Sequence, residues 1–195
     1  MKKTHGITLI EILITILIMS ILASVAGPSF IKSFDSRKLV SATELLYSNL
    51  QLARSESLTR STKIYWTASS LGSKSWAFGF SSDAGCEPSV TDNTAANACI
   101  LTVDDGDGSY TAANDAVLHR FDGSDFEDIS IRRSYNSSAG DALIFDPMRG
   151  TVDIGNHSGR YYTLTSPMGS DVQIHLTILG KVKICSDDIS NYKGC

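Results

Sequence analysis

Residues 7–26 read ITLIEILITILIMSILASVA, and the six residues before them, Met-Lys-Lys-Thr-His-Gly, form a short basic segment. As an α-helix, twenty residues rise about 30 Å, the thickness of a bilayer's hydrocarbon core. Lys2 and Lys3 precede the run, so the positive-inside rule keeps the N-terminus in the cytoplasm and sends the rest of the chain across. A secretory signal would carry a shorter apolar region followed by an A-x-A-like cleavage site. A simple membrane anchor has no need of a charge, yet Glu11 interrupts this run near its start. A carboxylate is expensive inside a membrane unless something uses it.

Gly6 followed by Ile7-Thr8-Leu9-Ile10-Glu11 resembles the prepilin peptidase site of the type IV pilin family. That site is a basic leader ending in Gly, then an apolar residue, with Glu fifth in the mature chain. Phe is the commonest first mature residue in the family; Ile7 departs from it but keeps the apolar character. The resemblance implies cleavage between Gly6 and Ile7 and N-methylation of the new Ile7 amine. It also implies a set of partners: the prepilin peptidase, an inner-membrane assembly platform, other minor pilins and the major pilin. The chain is then expected to wait in the bacterial inner membrane as a single-pass protein with its C-terminal domain in the periplasm, before entering an extracellular fibre. A buried Glu11 needs a partner, and the Ile7 amine of a neighbouring subunit is a candidate.

Gly27-Pro28 closes the apolar run. Pro removes a helix hydrogen bond and Gly weakens the helix beside it, so a kink or local melting is expected there. Family members carry a Pro at the same distance from the cleavage site. Helical spacing then resumes, with Leu39, Ala42, Leu46, Leu50, Ala53 and Ser57 on one face. Lys38, Glu44, Asn49, Arg54 and Glu56 fall largely elsewhere. One helix from about Leu9 to about Thr62 is predicted. Four segments follow: a leader at 1–6, a membrane-spanning and filament-core helix at 7–27, its amphipathic second half at 28–62, and a β-rich globular domain at 63–195.

From Lys63 the texture changes to short strands between Gly, Ser, Asp and Asn turns. The strands expected are Lys63–Thr67, Trp76–Phe80, Ile100–Val103, Val117–Phe121, Ile129–Arg133, Ala142–Phe145, Gly150–Ile154, Arg160–Thr165, Val172–Ile178 and Val182–Cys185. Period-two alternation is clearest in Val172–Ile178. The fold class is α+β, a long N-terminal helix packed on an antiparallel sheet domain.

The 195 residues suit one ordinary domain, and 42% apolar content is enough for a core. The net charge of −4 argues against a protein that coats nucleic acid non-specifically. Much of that charge is local. Between Asp83 and Asp128 stand eleven acids and one base, Arg120. Four Cys and no C-x-x-C fit disulfides in an oxidising compartment rather than zinc ribbons or thioredoxin-type redox motifs. Three pairings are possible; the local one, Cys86 with Cys99 and Cys185 with Cys195, is the simplest.

Three further segments resemble the FimT/FimU/GspH group of minor pilins and pseudopilins. Leu50–Arg60 contains the Leu-Ala-Arg-Ser-Glu run that precedes the group's first strand. Phe145-Asp146-Pro147-Met148-Arg149-Gly150 is similar to its Phe-x-Pro-x-Gly turn with one extra residue. Gly180-Lys181-Val182-Lys183 looks like its terminal Gly-Arg-x-Arg segment with both Arg replaced by Lys. The likeness thins out between about Gly72 and Ser138. Some relatives in transformable bacteria bind DNA through that terminal segment, so Lys181 and Lys183 are candidate DNA contacts, with Arg160 a candidate to extend them. Lys keeps the charge but lacks the planar fork that suits phosphate. The resemblance thus implies a minor pilin that starts or caps a type IV pilus. The alternatives are a pilus DNA receptor and a type II secretion pseudopilin.

Catalytic patterns are missing. There is no G-x-S-x-G or P-loop, and His119, His157 and His175 lack metalloprotease spacing. Asp104-Asp105-Gly106-Asp107-Gly108 suggests calcium, but an EF-hand frame starting at Asp105 puts Tyr110 where Gly is needed and Ala116 where Glu is needed. The reading is a non-enzyme with no cofactor and no metal.

Overall fold

A computed structural model describes residues 7–103, 106, 108–109, 111–126, 128–134, 142–153 and 160–195. Helix α1 spans Leu9–Arg60, 52 residues or roughly 78 Å of rise. Thr8 caps its start, its Oγ1 accepting from the Glu11 amide at 3.4 Å. It ends two residues earlier than expected, where Ser61 turns left-handed (φ 52°) and its N–H returns to the Ser57 carbonyl.

The helix runs through Gly27 and Pro28 without a break, so the local melting expected there is absent in this conformation. Pro removes a single hydrogen bond, and the residues on either side continue the ladder. Every residue from Ile7 to Ala26 is exposed. The second half is different. Leu39, Ala42, Leu46, Leu50, Ala53 and Ser57 are all buried, as their spacing predicted, and they line the core on one stripe.

Among the described residues eleven strands follow: β1 (Ile64–Ser69), β2 (Ala77–Ser81), β3 (Ile100–Thr102), β4 (Ala116–Leu118), β5 (Arg120–Asp122), β6 (Ser130–Arg133), β7 (Leu143–Phe145), β8 (Val152–Asp153), β9 (Arg160–Thr165), β10 (Asp171–Leu176) and β11 (Val182–Cys185). They form a five-stranded sheet in the order β5-β2-β1-β7-β8, a four-stranded sheet in the order β11-β10-β9-β6, and a β3-β4 ribbon. All pairings between these strands are antiparallel. Both larger sheets pack on α1. A short helix at Ala112–Asp115 and a 3-10 turn at Gly123–Phe126 were not foreseen.

The segment read as one strand, Val117–Phe121, is two. His119 interrupts it, its N–H donating to the Cys99 carbonyl at 2.7 Å and its carbonyl accepting from the Phe80 amide at 3.1 Å. At that residue the chain leaves the ribbon and joins the edge of the five-stranded sheet. Such a transfer depends on two partners far away in sequence, so local alternation could not reveal it.

Trp66 joins the layers. It stands on β1, sets its ring edge-on to Tyr162 of β9 with centroids 5.5 Å apart, and donates its indole N–H to Asn49 Oδ1 at 2.6 Å. Asn49 is therefore buried on the inner face of α1, contrary to its expected outward position. A buried indole N–H needs an acceptor, and Asn49 supplies it. Trp76 is satisfied similarly by the Ile129 carbonyl at 2.9 Å and stacks on Phe78.

Candidate functional site

The first feature is the exposed half of α1. Twenty apolar-rich residues stand clear of the domain with Glu11 as their single charge. The helix is long and apolar enough to cross a membrane. Apolar exposure continues to Phe30, Ile31 and Phe34, each more than 60% accessible. Soluble domains rarely expose an apolar surface of this size, and a bilayer or a bundle of other helices is the kind of surrounding it fits. Ile7 and Glu11 lie on this free end. Gly6 and the basic leader lie outside the described residues.

The second feature is a junction beneath the end of α1. The Arg54 guanidinium inserts between two turns, donating from Nε to the Gly150 carbonyl at 2.9 Å and from Nη2 to the Leu179 carbonyl at 3.3 Å. Gly150 and Gly180 both have positive φ, 60° and 70°. A Cβ on Gly180 would overlap the Gly150 carbonyl oxygen and stand 2.9 Å from Arg54 Nε. Arg54 thus meets two turns that lie 96 and 125 residues further along the chain. Arg54 was expected on the outer face; its place is set by these two carbonyls.

The third feature is the outer face of the four-stranded sheet. Lys183 lies opposite His175 in the register, and His175 lies opposite Tyr161. The His175 and Tyr161 rings stack with centroids 5.0 Å apart. Burial and the neighbouring Lys183 charge hold the His175 pKa below its ordinary value. Lys181 and Lys183 are both exposed on this face, with Val182 buried between them. Arg160 is not with them. It is 6% exposed and pairs with Leu176 on the inner face, so it does not extend the lysine pair. Strand alternation put Arg160 and Tyr161 on opposite faces, but only the register showed which face was inside.

Cys86 is joined to Cys99 and Cys185 to Cys195, with Cα separations of 4.9 and 5.0 Å. The first closes the acidic excursion after β2, and the second ties the tail to β11. Arg120 spans the base of the excursion, donating to the Pro88 carbonyl at 2.7 Å and pairing with Asp122 at 2.6 Å. His119 stacks on Phe80 with centroids 4.7 Å apart, and burial lowers its pKa. His119 and His175 belong to separate regions of the fold, and each has a structural role. The Asp104, Asp105, Asp107 and Tyr110 reading, Glu127 and His157 lie outside the described residues.

An apolar helical half with one carboxylate, continuous with an amphipathic half that carries a disulfide-closed antiparallel domain, defines the pilin-like class of assembly subunits. The sequence matches the prokaryotic N-terminal methylation motif over residues 1–27. It matches the family of type II transport protein GspH over residues 42–180, most of the chain, and the protein belongs to that family. No curated protein and no solved structure matches it significantly. The family match ends at Gly180, so it includes the Arg54–Gly150–Gly180 junction but not Lys181 or Lys183.

Proposed function

We propose that this chain is a minor pilin, a low-copy subunit that starts or caps a type IV pilus. The observation that supports it is the exposed apolar stretch of residues 7–26, with Glu11 as its single charge. In this reading the prepilin peptidase cuts after Gly6 and the Ile7 amine is methylated. The mature chain waits in the inner membrane, with its domain in the periplasm, until an assembly platform draws it into a fibre. There its helix packs among those of other minor pilins and the major pilin, and Glu11 meets the Ile7 amine of a neighbour. Nothing in that cycle requires catalysis by this chain. Deletion of the gene, scored separately for surface pili, protein secretion and DNA uptake, tests the reading. Loss of pili with secretion intact is expected. Loss of secretion with normal pili would replace it by the type II pseudopilin reading, which the family's description favours.

A further reading, DNA contact through Lys181 and Lys183, is favoured by their exposure beside the Tyr161–His175 stack. Two phosphate contacts give weak, sequence-independent binding that falls steeply with salt. Retention of the chain on DNA at low salt, lost in the Lys181→Ala/Lys183→Ala double variant, is the outcome that would support it. Absence of retention even at low salt would leave the lysines as solvated strand residues.

A further inference from the structure

A groove of about 560 Å³ runs between α1 and the tail that follows β11. Val40 and Ile189 supply apolar lining, and the hydroxyls of Ser33, Ser36 and Ser41 border it. Two opposite charges also line it, Arg37 from the helix and Asp188 from the tail. They do not form an ion pair with each other. Arg37 makes no hydrogen bond or ion pair with any described residue. Asp188 is held in place, its Oδ2 accepting from the Asp171 amide at 2.8 Å and its N–H donating to Ser186 Oγ at 3.1 Å. An open polar groove with a separated cation and anion complements a zwitterion of the opposite arrangement.

The groove's position along the chain identifies the source of such a ligand. Exposed apolar side chains run from Ile7 to Phe34, 63% exposed, interrupted near the end by Ser29, Lys32 and Ser33, and that length rises roughly 40 Å as a helix. This equals the thickness of a bilayer with its headgroup layers. Ser33, Ser36 and Arg37 therefore stand at the outer, headgroup edge when the apolar half is embedded, and Phe30 and Ile31 precede them on the membrane side.

We propose that this groove binds the headgroup of a phosphatidylethanolamine molecule while the chain waits in the membrane, an inference that rests on the embedded state of α1. Arg37 and the serine hydroxyls receive the phosphate, which a guanidinium suits through paired N–H donors. Asp188 receives the ammonium. The lipid seats the domain on the membrane surface and must be released when the subunit is drawn into a fibre. Lys32 and Lys38 lie on the same stretch of helix outside the groove and offer a simpler attraction to any anionic lipid. Asp35 nearby is engaged by the Ser166 hydroxyl at 2.6 Å.

The test uses the full chain purified in detergent doped with phosphatidylethanolamine, phosphatidylglycerol or phosphatidylcholine, with retained lipid counted by native mass spectrometry. Phosphatidylethanolamine is expected to be retained at least fivefold over the other two. Arg37→Ala and Asp188→Asn should each lower its retention about tenfold. Both side chains are exposed, and an unchanged circular dichroism spectrum of each variant checks that the fold persists. Preference for phosphatidylglycerol would mean that Lys32 and Lys38 merely attract negative charge, and equal retention of all three lipids would also overturn the proposal. Soluble phosphoethanolamine should bind at least tenfold more weakly, since it brings no acyl chains to Phe30 and Ile31. Equal binding would make a free solute the ligand and overturn the lipid assignment. Carbonate extraction of membranes tests the embedded state separately: release of the wild-type chain would defeat that reading whatever the lipid result.

Discussion

Arg54 Nε lies 2.9 Å from the Gly150 carbonyl oxygen, and the same guanidinium reaches the Leu179 carbonyl at 3.3 Å. One side chain near the end of α1 thereby holds the β7–β8 turn and the β10–β11 turn together, one from each large sheet. Arg54, Gly150 and Gly180, one from each segment that resembles the FimT/FimU/GspH group, meet at this contact. Arg spans two carbonyls at once, and the glycines leave room for the approach.

Removing this link should destabilise the domain without changing its fold. Arg54→Ala removes the donor from the part-buried Gly150 carbonyl, a loss of about 1–3 kcal/mol, whereas water can replace it at the exposed Leu179 carbonyl. Arg54→Lys should recover only part of it, because an ammonium lacks the rigid fork. Gly180→Ala should cost at least as much as Arg54→Ala. Its Cβ would meet backbone rather than a yielding side chain, and at a positive φ. Urea unfolding of the full chain in detergent, followed by tryptophan fluorescence, ranks the three variants.

Glu11 should matter for entry into a fibre and not for stability of the domain, from which it is remote. Intact mass of the wild-type membrane form should place Ile7 at its start. Glu11→Ala should accumulate in membranes at wild-type levels and be depleted from sheared fibres. Equal incorporation of mutant and wild type would dispose of a partnering role for the carboxylate.

The two disulfides should open in a fixed order. Cys99 is fully buried and Cys86 is 8% exposed, whereas Cys195 is exposed on the tail. Thiolate attack needs access to sulfur. Mild thiol treatment followed by alkylation and peptide mapping should label Cys185 and Cys195 well before Cys86 and Cys99. Each bridge closes a loop of about a dozen residues, so loss of either should cost very roughly 3 kcal/mol.

Acid should weaken the domain through its histidines. His119 and His175 both have pKa values lowered below 6.5, chiefly by burial. Above 6.5 they are neutral in both folded and unfolded chains and contribute no pH dependence. As pH falls through 6.5 the unfolded chain takes up protons first, so stability declines and continues to decline until the folded values are reached. Thermal melts between pH 7 and pH 5 should show the decline, and His119→Gln should flatten it. A slope unchanged in that variant would assign the effect to other groups.

The sequence alone determined the helix, its buried stripe and most strands. Each is a local pattern: an apolar run marks a stretch long enough to span a membrane, a 3.6-residue period marks Leu39 to Ser57, and two-residue alternation marks Val172–Ile178. The local cysteine pairing was also the simplest available, and it is the one present. Tertiary structure decided what depends on partners distant along the chain. Asn49 is inside because Trp66 needs an acceptor. Val117–Phe121 breaks at His119 because Cys99 and Phe80 claim its backbone. Arg160 is withdrawn from the lysine face because cross-strand register, and not its own sequence, fixes which side of β9 meets the core. Arg54, Gly150 and Gly180 carry no common periodicity, and their meeting appears only when helix and sheets pack. The groove lined by Arg37 and Asp188 was invisible for the same reason, since a charge on a helix and another on a tail come to line one groove only through the fold that packs tail against helix.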